Sequence, residues 1–215
     1  MRAVSLASYV PSRVSVVSSQ RHHQILCPLD HHGESNDRSI TVFVREVVDS
    51  RYAHDASQLS RLNALLYLQG GPGFECTREG IGSTSWINTA AIAQSFRVFL
   101  MDQRGTGYSS PLTVETIMHE GSPSDQLALL KCFRADSIVA DAEACRMLLL
   151  NDADKRPEDS SQDNYGYGFD ADGIRKWTVL GQSYGGFCCF SYLSKYPKGL
   201  HGIRKRAMDC LGPKN

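Results

Sequence analysis

The sequence predicts an α/β fold built on a mostly parallel β-sheet. Three short apolar segments have the length and composition of buried strands, at residues 65–68, 96–101 and 177–180. Each segment runs into a glycine-rich turn, as strands do where the chain must bend sharply. Apolar side chains at helical spacing lie between the second and third segments, at residues 136–150. Strands that alternate with helices are typical of parallel sheets, whose faces are covered by those helices.

The first turn follows the strand at residues 65–68 and reads Gln-Gly-Gly-Pro-Gly over residues 69–73. Glycine has no Cβ atom, so the backbone of such a loop can bring its N–H groups close to a reacting carbonyl. Gly70 and Gly71 are therefore candidate donors to a developing oxyanion. Taken alone, the loop is better explained as an ordinary strand exit that needs glycine for its backbone conformation.

The second turn follows the strand at residues 96–101 and contains Asp102, Gln103 and Arg104 ahead of two glycines. Charged residues of opposite sign at a strand exit usually hold a loop in place. We interpret Asp102 and Arg104 as structural residues that brace this turn, and not as groups that take part in chemistry.

The third turn contains the motif G-x-S-x-G at residues 181–185. This motif is typical of a nucleophile elbow, a strained turn between a strand and a helix that presents a serine at the carboxyl end of the sheet. Glycines flank the serine because larger side chains would collide there with neighbouring backbone. The motif predicts that Ser183 is a covalent nucleophile, between a strand ending near Leu180 and a helix that runs from about Tyr184 to Lys195.

Taken together, the three turns resemble a known family. The segments GGPG at residues 70–73, DQRGTGYS at 102–109 and GQSYGG at 181–186 are similar, in this order, to the α/β-hydrolase peptidases of the prolyl aminopeptidase (proline iminopeptidase) type. The resemblance extends over about residues 24–202, although Gln69 stands where many members have histidine. It implies the amino-terminal part of an α/β-hydrolase fold, with the mostly parallel sheet through the nucleophile strand and without the last strands and the cap.

The resemblance also implies a role for each motif. Ser183 would be the nucleophile, and the backbone N–H of Tyr184 with that of Gly70 or Gly71 would form the oxyanion hole. Physical chemistry supports the choice of Tyr184, because the first N–H groups of a helix are unpaired and the helix dipole favours negative charge there. The activity implied is release of an amino-terminal proline from a small peptide, without a metal or an organic cofactor.

A serine nucleophile also needs a histidine base and an acid, and in this fold both follow the serine in the chain. After Ser183 the sequence contains only His201 and Asp209 as candidates. A helix of about ten residues carries the chain roughly 15 Å back across the sheet, so we expect His201 to lie away from the active side. Asp209 lies among basic residues and is expected to be solvated. We therefore expect a truncated chain whose peptidase activity is absent or impaired.

Truncation further predicts an exposed sheet edge. The nucleophile strand is internal in this fold, so loss of the next strand would leave the backbone groups of residues 178–180 unpaired. Apolar side chains on that side would lose their cover as well. We therefore expect the isolated chain to aggregate or to be partly unfolded.

Composition limits the classes of function. Lys plus Arg and Asp plus Glu each number 23, so the chain lacks the basic surface typical of proteins that bind nucleic acid or an acidic membrane. The seven cysteines contain no C-x-x-C pair, which argues against a disulfide framework or a zinc site and favours a reducing compartment. No apolar run approaches the roughly 20 residues that span a bilayer. The expected partner is a small peptide with an amino-terminal proline.

We divide the chain into a disordered leader over residues 1–21, a partial hydrolase domain over residues 22–202 and an atypical basic tail over residues 203–215. A cytoplasmic location is expected, and the leader, which contains no acidic residue, makes an organelle-targeted protein the alternative. Two other functions stay open. One is an esterase or another hydrolase of the same fold, because the cap decides the substrate; the other is a non-catalytic fragment.

Overall fold

The computed structural model describes residues 5–14, 18–33, 38–76, 96–151 and 174–206. Within these ranges seven strands form one sheet in the order β1-β2-β3-β5-β4-β6-β7. The strands are Ser5–Val14 (β1), Ser18–Pro28 (β2), Ser39–Asp49 (β3), Asn63–Leu68 (β4), Phe96–Asp102 (β5), Trp177–Gln182 (β6) and Leu200–Arg206 (β7). The helices are Ala56–Leu59 (α1), Val114–Met118 (α2), Pro123–Lys131 (α3), Ala135–Leu149 (α4) and Tyr184–Lys195 (α5), and a 3₁₀ turn covers Pro197–Gly199.

The sheet has a parallel half and an antiparallel half. Strands β5, β4, β6 and β7 are parallel to one another, whereas β3 joins β5 in antiparallel fashion and is followed by β2 and β1. The chain leaves β4 for β5 on one side and later reaches β6 on the other side. Such a reversal of strand order opens a crevice at the carboxyl ends of the strands, which is where α/β sheets bind ligands.

The predicted central elements are confirmed within one or two residues. The segments at 65–68, 96–101 and 177–180 lie in β4, β5 and β6, and the helical stripe at 136–150 forms α4. Most residues of these strands are apolar because both faces of the sheet are covered. In α4 the predicted stripe is buried, with Ile138, Val139, Ala142 and Cys145 at 3 % exposure or less.

Two cores lie on opposite faces of the sheet. The larger one packs α4 and α5 against the strands and contains Leu66, Leu68, Val139, Val179 and Cys188. The smaller one lies on the other face and contains Leu65, Tyr67, Cys76, Val98 and Leu100. Alternate residues of β4 thus enter different cores, as the two-residue period of a strand requires.

The structure corrects the predicted disordered leader over residues 1–21. From Ser5 onward this segment forms β1 and the beginning of β2, which pair as antiparallel strands. β2 also pairs with β3, so its backbone groups are satisfied on both sides. Further along β2, His23, Ile25 and Cys27 are buried while Gln24 and Leu26 are exposed, which is the burial pattern of a strand with one covered face.

The predicted exposed edge at residues 178–180 is wrong. β7 pairs with β6 in parallel and starts directly after the 3₁₀ turn. Few of its residues are apolar, but a strand ladder uses backbone groups, so a polar segment can complete it. The predicted boundary after residue 202 therefore lies inside β7. The rest of the predicted basic tail, residues 207–215 with Asp209, lies outside the described residues.

Candidate active site

Ser183 lies in the turn between β6 and α5, as the motif predicts. Its backbone has φ 52° and ψ −118°, and it is the one residue other than glycine with positive φ in the described part of the chain. L-residues rarely adopt this conformation, and where they do the strain is often part of a functional site. The side chain is exposed. A strained and accessible serine at the carboxyl end of a parallel strand is the geometry of a nucleophile elbow.

The glycines on either side of Ser183 are required by packing. A Cβ atom built on Gly181 would lie closer than 3.0 Å to the carbonyl of Gly185, and one on Gly185 would lie closer than 3.0 Å to the carbonyl of Leu68. Both obstacles are backbone atoms, which cannot rotate away. The turn can therefore be as tight as it is only with glycine at both positions.

The glycine-rich loop after β4 reaches the same turn. A Cβ atom on Gly70 would lie 3.0 Å from the carbonyl oxygen of Gln182 and 3.1 Å from the Cβ of Ser183. The loop therefore lies against the turn that carries Ser183. The next residue, Gly71, has φ 135°, a conformation that side chains disfavour, so the loop needs glycine there for its path.

Tyr184 is the first residue of α5. The carbonyl of Ser183 accepts hydrogen bonds from the N–H groups of Gly186 at 2.8 Å and Phe187 at 3.4 Å, which closes the first turn of the helix. The N–H of Tyr184 is one of the first N–H groups of α5, and a helix provides no carbonyl acceptor for these groups. It belongs to the first residue of α5, directly after Ser183, where the helix dipole is positive.

A hydrogen-bonded cluster that the sequence did not reveal lies beneath these two loops. The hydroxyl of Tyr67 lies 2.8 Å from Oε1 of Gln69 and 2.7 Å from Oε1 of Gln182. Nε2 of Gln103 donates to the carbonyl of Gln69 at 3.0 Å. The sequence contained one signal for this cluster, a polar residue at or just after the end of each of three predicted strands. The carboxyl ends of adjacent parallel strands meet at one edge of the sheet, so these polar residues are brought together there.

Comparison with known proteins establishes the family. The family model of the alpha/beta hydrolase fold matches residues 63–203, which include the elbow and the glycine-rich loop. The chain belongs to the α/β-hydrolase fold family. The predicted fold class and the predicted resemblance are thereby confirmed.

Two curated relatives of this hydrolase are proline iminopeptidases. The protein from Aeromonas sobria is 40 % identical over 181 residues, which are 84 % of this chain and 35 % of the relative. Proline iminopeptidase aneH from Aspergillus aculeatus is 36 % identical over 173 residues, which are 80 % of this chain and 33 % of the relative. The chain thus spans about a third of the length of these relatives. A solved proline iminopeptidase from Mycobacterium smegmatis is 20 % identical with a TM-score of 0.45, over 84 % of this chain and 42 % of that one.

Asp102 and Arg104 of the hydrolase brace the fold, but not as a pair. The carboxylate of Asp102 accepts hydrogen bonds from the N–H groups of Cys76 at 2.8 Å and Tyr108 at 2.9 Å, so it holds two loops together. Arg104 is fully buried and forms a two-pronged ion pair with Asp141 of α4, at 2.7 and 2.6 Å. Its guanidinium also donates to the carbonyls of Pro28, Leu29 and Cys132.

The electrostatics of this pair favour the charged forms. Burial by itself raises the pKa of Asp141, but the guanidinium of Arg104 and a hydrogen bond with His31 outweigh burial and hold that pKa below its usual range. The ion pair thus ties the end of β2, the turn after β5 and α4 together. The pair stabilises the elements that surround the candidate site and supplies none of the groups of that site.

None of the chain's seven histidines lies within hydrogen-bond distance of Ser183 in the described structure. His23 contacts Glu46 at 3.1 Å, His31 contacts Asp141 at 2.7 Å, and His119 is exposed. His201 is exposed at the start of β7, next to the amino end of β6. Five residues of strand separate that level from Ser183, roughly 17 Å at about 3.3 Å per residue. The expected position of His201 away from the active side is therefore confirmed.

Two further observations concern metal binding and membrane crossing. Among the described residues, no group of three or more His, Cys, Asp or Glu side chains is placed to hold a metal ion. No helix in the same part of the chain combines the length and the apolar character needed to cross a bilayer.

Proposed function

We propose that this chain carries the nucleophile and the oxyanion hole of a serine aminopeptidase of the proline iminopeptidase type. The observation that carries the proposal is the strained backbone of Ser183 between β6 and α5, with the Gly70 backbone packed against it. Two curated proline iminopeptidases are 40 % and 36 % identical to this chain over the matched residues. The substrate would be a short peptide with an amino-terminal proline.

In this mechanism Ser183 Oγ attacks the carbonyl carbon of the substrate's first residue while a base takes the hydroxyl proton. The carbonyl oxygen becomes an oxyanion and accepts hydrogen bonds from the N–H of Tyr184 and from that of Gly70 or Gly71. Collapse of the tetrahedral intermediate breaks the peptide bond and expels the shortened peptide as an amine, which receives the proton. Water then hydrolyses the proline ester on Ser183 and regenerates the hydroxyl.

In the described residues no histidine lies near Ser183, so we propose that this 215-residue chain by itself turns over substrate poorly or not at all. His201 lies at the wrong end of the sheet, and the other histidines contact carboxylates elsewhere or face solvent. Removal of triad members typically leaves only about 10³- to 10⁴-fold acceleration over water, which comes from binding and the oxyanion hole. The elbow itself needs no base to form, because backbone packing creates it.

A fluorophosphonate probe and a proline arylamide test the proposal together. Because no described histidine is placed to take the hydroxyl proton, we expect the probe to label Ser183 slowly, as identified by mass spectrometry of the modified peptide, with little or no release of arylamine. Ser183→Ala should abolish labelling. Ser191→Ala, which removes a half-buried serine from the same helix, is the matched control and should label like the wild type. Absence of labelling at Ser183 in folded protein would overturn the nucleophile assignment, and rapid arylamine release would overturn the proposed impairment.

A further inference from the structure

We infer that Tyr67 is a positioning residue that fixes the spacing between the two halves of the oxyanion hole. The inference rests on the proposed function, because it concerns the donors of that same site. One donor belongs to the loop after β4 and the other to the turn after β6, so their spacing depends on how these two segments are held together. Tyr67 is the residue whose hydroxyl contacts both segments.

The contacts of Tyr67 join the two segments just beyond the end of the strand ladder. β4 and β6 pair as far as Leu68 and Gly181. Past that point the Tyr67 hydroxyl lies 2.8 Å from the side chain of Gln69, which begins the glycine-rich loop, and 2.7 Å from the side chain of Gln182, which precedes the nucleophile. The bridge therefore continues, through side chains, a connection that the backbone ladder no longer makes.

The chemistry of the bridge requires a hydroxyl. A tyrosine hydroxyl has one proton and also accepts, and each glutamine amide offers both a carbonyl and an NH₂ group. Both contacts are made to an Oε1 atom, so the Tyr67 hydroxyl is the donor in each and its single proton serves one glutamine at a time. The tyrosine is 2 % exposed, so these groups have little water as a substitute partner. Phenylalanine would fill the same space and leave both amides without this contact.

A second hydrogen bond makes the Tyr67 bridge more rigid. Nε2 of Gln103, a residue that is 3 % exposed, donates to the carbonyl of Gln69 at 3.0 Å. The backbone of Gln69 is thus held from the turn after β5, while its side chain is held by Tyr67 of β4. Gly70 follows directly, so the direction of its N–H depends on how Gln69 is held.

Tight spacing matters because an oxyanion hole works only when both donors reach the same oxygen. A displacement of about 1 Å can cost on the order of 100-fold in rate, and complete loss of one donor costs about 100- to 1000-fold. A loosened loop keeps its donor but misplaces it for part of the time. We therefore expect loss of the Tyr67 hydroxyl to slow fluorophosphonate labelling of Ser183 by about 10- to 100-fold.

Tyr67→Phe tests the inference, with Tyr192→Phe as the matched control. Tyr192 is also buried, and its hydroxyl contacts Trp177 and Glu143 in the core near the middle of α5, remote from the glycine-rich loop. Both substitutions remove one buried hydroxyl, and both should lower the melting temperature. Only Tyr67→Phe should slow labelling, measured at a temperature where all variants are folded. Gln69→Leu removes one arm of the bridge at a half-buried position and should slow labelling similarly.

An NMR measurement keeps this inference separable from the proposed function. In Tyr67→Phe the heteronuclear ¹⁵N NOE of the Gly70 and Gly71 amides should fall, and in Tyr192→Phe it should not. If the wild type fails to label at Ser183, the proposed function is wrong, and the NOE values still decide whether Tyr67 positions the loop. Unchanged NOE values in Tyr67→Phe, or labelling as fast as in the wild type, would overturn the inference.

Discussion

Gly185 of the nucleophile helix packs directly against the main-chain carbonyl of Leu68, the last residue of β4. A Cβ atom on Gly185 would lie closer than 3.0 Å to the carbonyl oxygens of both Leu68 and Gln69. The start of α5 and the end of β4 thus approach each other with no side chain between them. This contact places the elbow and the glycine-rich loop side by side, as the proposed oxyanion hole requires.

Gly185→Ala should therefore damage the site more than its small volume suggests. The added methyl group meets backbone atoms that can move only if β4 and α5 separate, and such overpacking typically costs about 1 to 3 kcal/mol or more. We expect a lower melting temperature and at least a tenfold slower fluorophosphonate labelling of Ser183. Gly202→Ala is the matched control, because its Cβ would meet no atom within 4 Å. Equal melting temperatures for the two variants would contradict the packing argument.

Asp141→Asn should lower the free energy of unfolding, because it removes the charge that neutralises Arg104. Both side chains are fully buried, and breaking one partner of a buried ion pair typically costs about 3 to 5 kcal/mol. Asp125→Asn, at an exposed position of α3, should change stability by less than about 1 kcal/mol. Urea unfolding followed by circular dichroism measures both. A small loss for Asp141→Asn would mean that the amide and the carbonyl partners of Arg104 satisfy the guanidinium.

Glu46 of β3 lies in a buried charge cluster on the same sheet. Its carboxylate contacts Arg97 at 2.9 Å, His23 at 3.1 Å and Arg21 at 3.6 Å. Burial by itself raises the pKa of Glu46, but Arg97, the hydrogen bond with His23 and Arg21 outweigh it and bring the pKa to about 2. The folded protein therefore holds this carboxylate ionised more tightly than the unfolded chain does.

The sign of the resulting pH dependence follows from linkage. Because the pKa of Glu46 is lower in the folded state, its contribution is present above about pH 4.5 and is lost as the pH falls towards 2. The contribution is about 3 kcal/mol at neutral pH. We expect Glu46→Gln to be much less stable than the wild type at pH 6 and close to it near pH 2.5. Glu115→Gln, at an exposed site, should track the wild type throughout. A difference that persists at low pH would refute the role of this ionisation.

Cys188 and Cys189 of α5 should resist alkylation while the protein is folded. Burial raises the pKa of each thiol to about 12, with Cys189 adding to the effect at Cys188. The thiolate is the reactive form, so little of it exists at pH 8. Iodoacetamide followed by peptide mass spectrometry should modify both residues slowly in buffer and quickly in guanidinium chloride. Rapid modification in buffer would show that α5 leaves the core easily.

Local sequence was sufficient to predict the elbow. Residues 177–185 predict a buried strand, a glycine-flanked serine and a helix, and each of these appears in the structure where it was expected. The reason is that a strained turn restricts which residues can stand beside it, so glycine at positions 181 and 185 indicates the tight turn directly. The glycines at 70 and 71 are informative for the same reason, because they must allow a close backbone approach.

The two ends of the sheet were predicted less well. β7 is mostly polar, and β1 mixes apolar and polar residues without a strict alternation, so nothing in their own residues requires a strand. Each forms because a neighbour, β2 or β6, offers an unpaired row of backbone groups. Such pairing depends on the partner and not on the composition of the segment.

The sequence by itself determined the order of the central elements, the identity of the candidate nucleophile and the loops around it, because glycine spacing and apolar runs are local properties. Only the tertiary structure decided which side chains form hydrogen bonds and ion pairs with one another. It separated Asp102 from Arg104, gave Arg104 to Asp141, and joined Gln69 to Gln182 through Tyr67. Hydrogen bonds and ion pairs of this kind connect residues 37 and 115 positions apart, and their distances exist only once the strands have taken their places in the sheet.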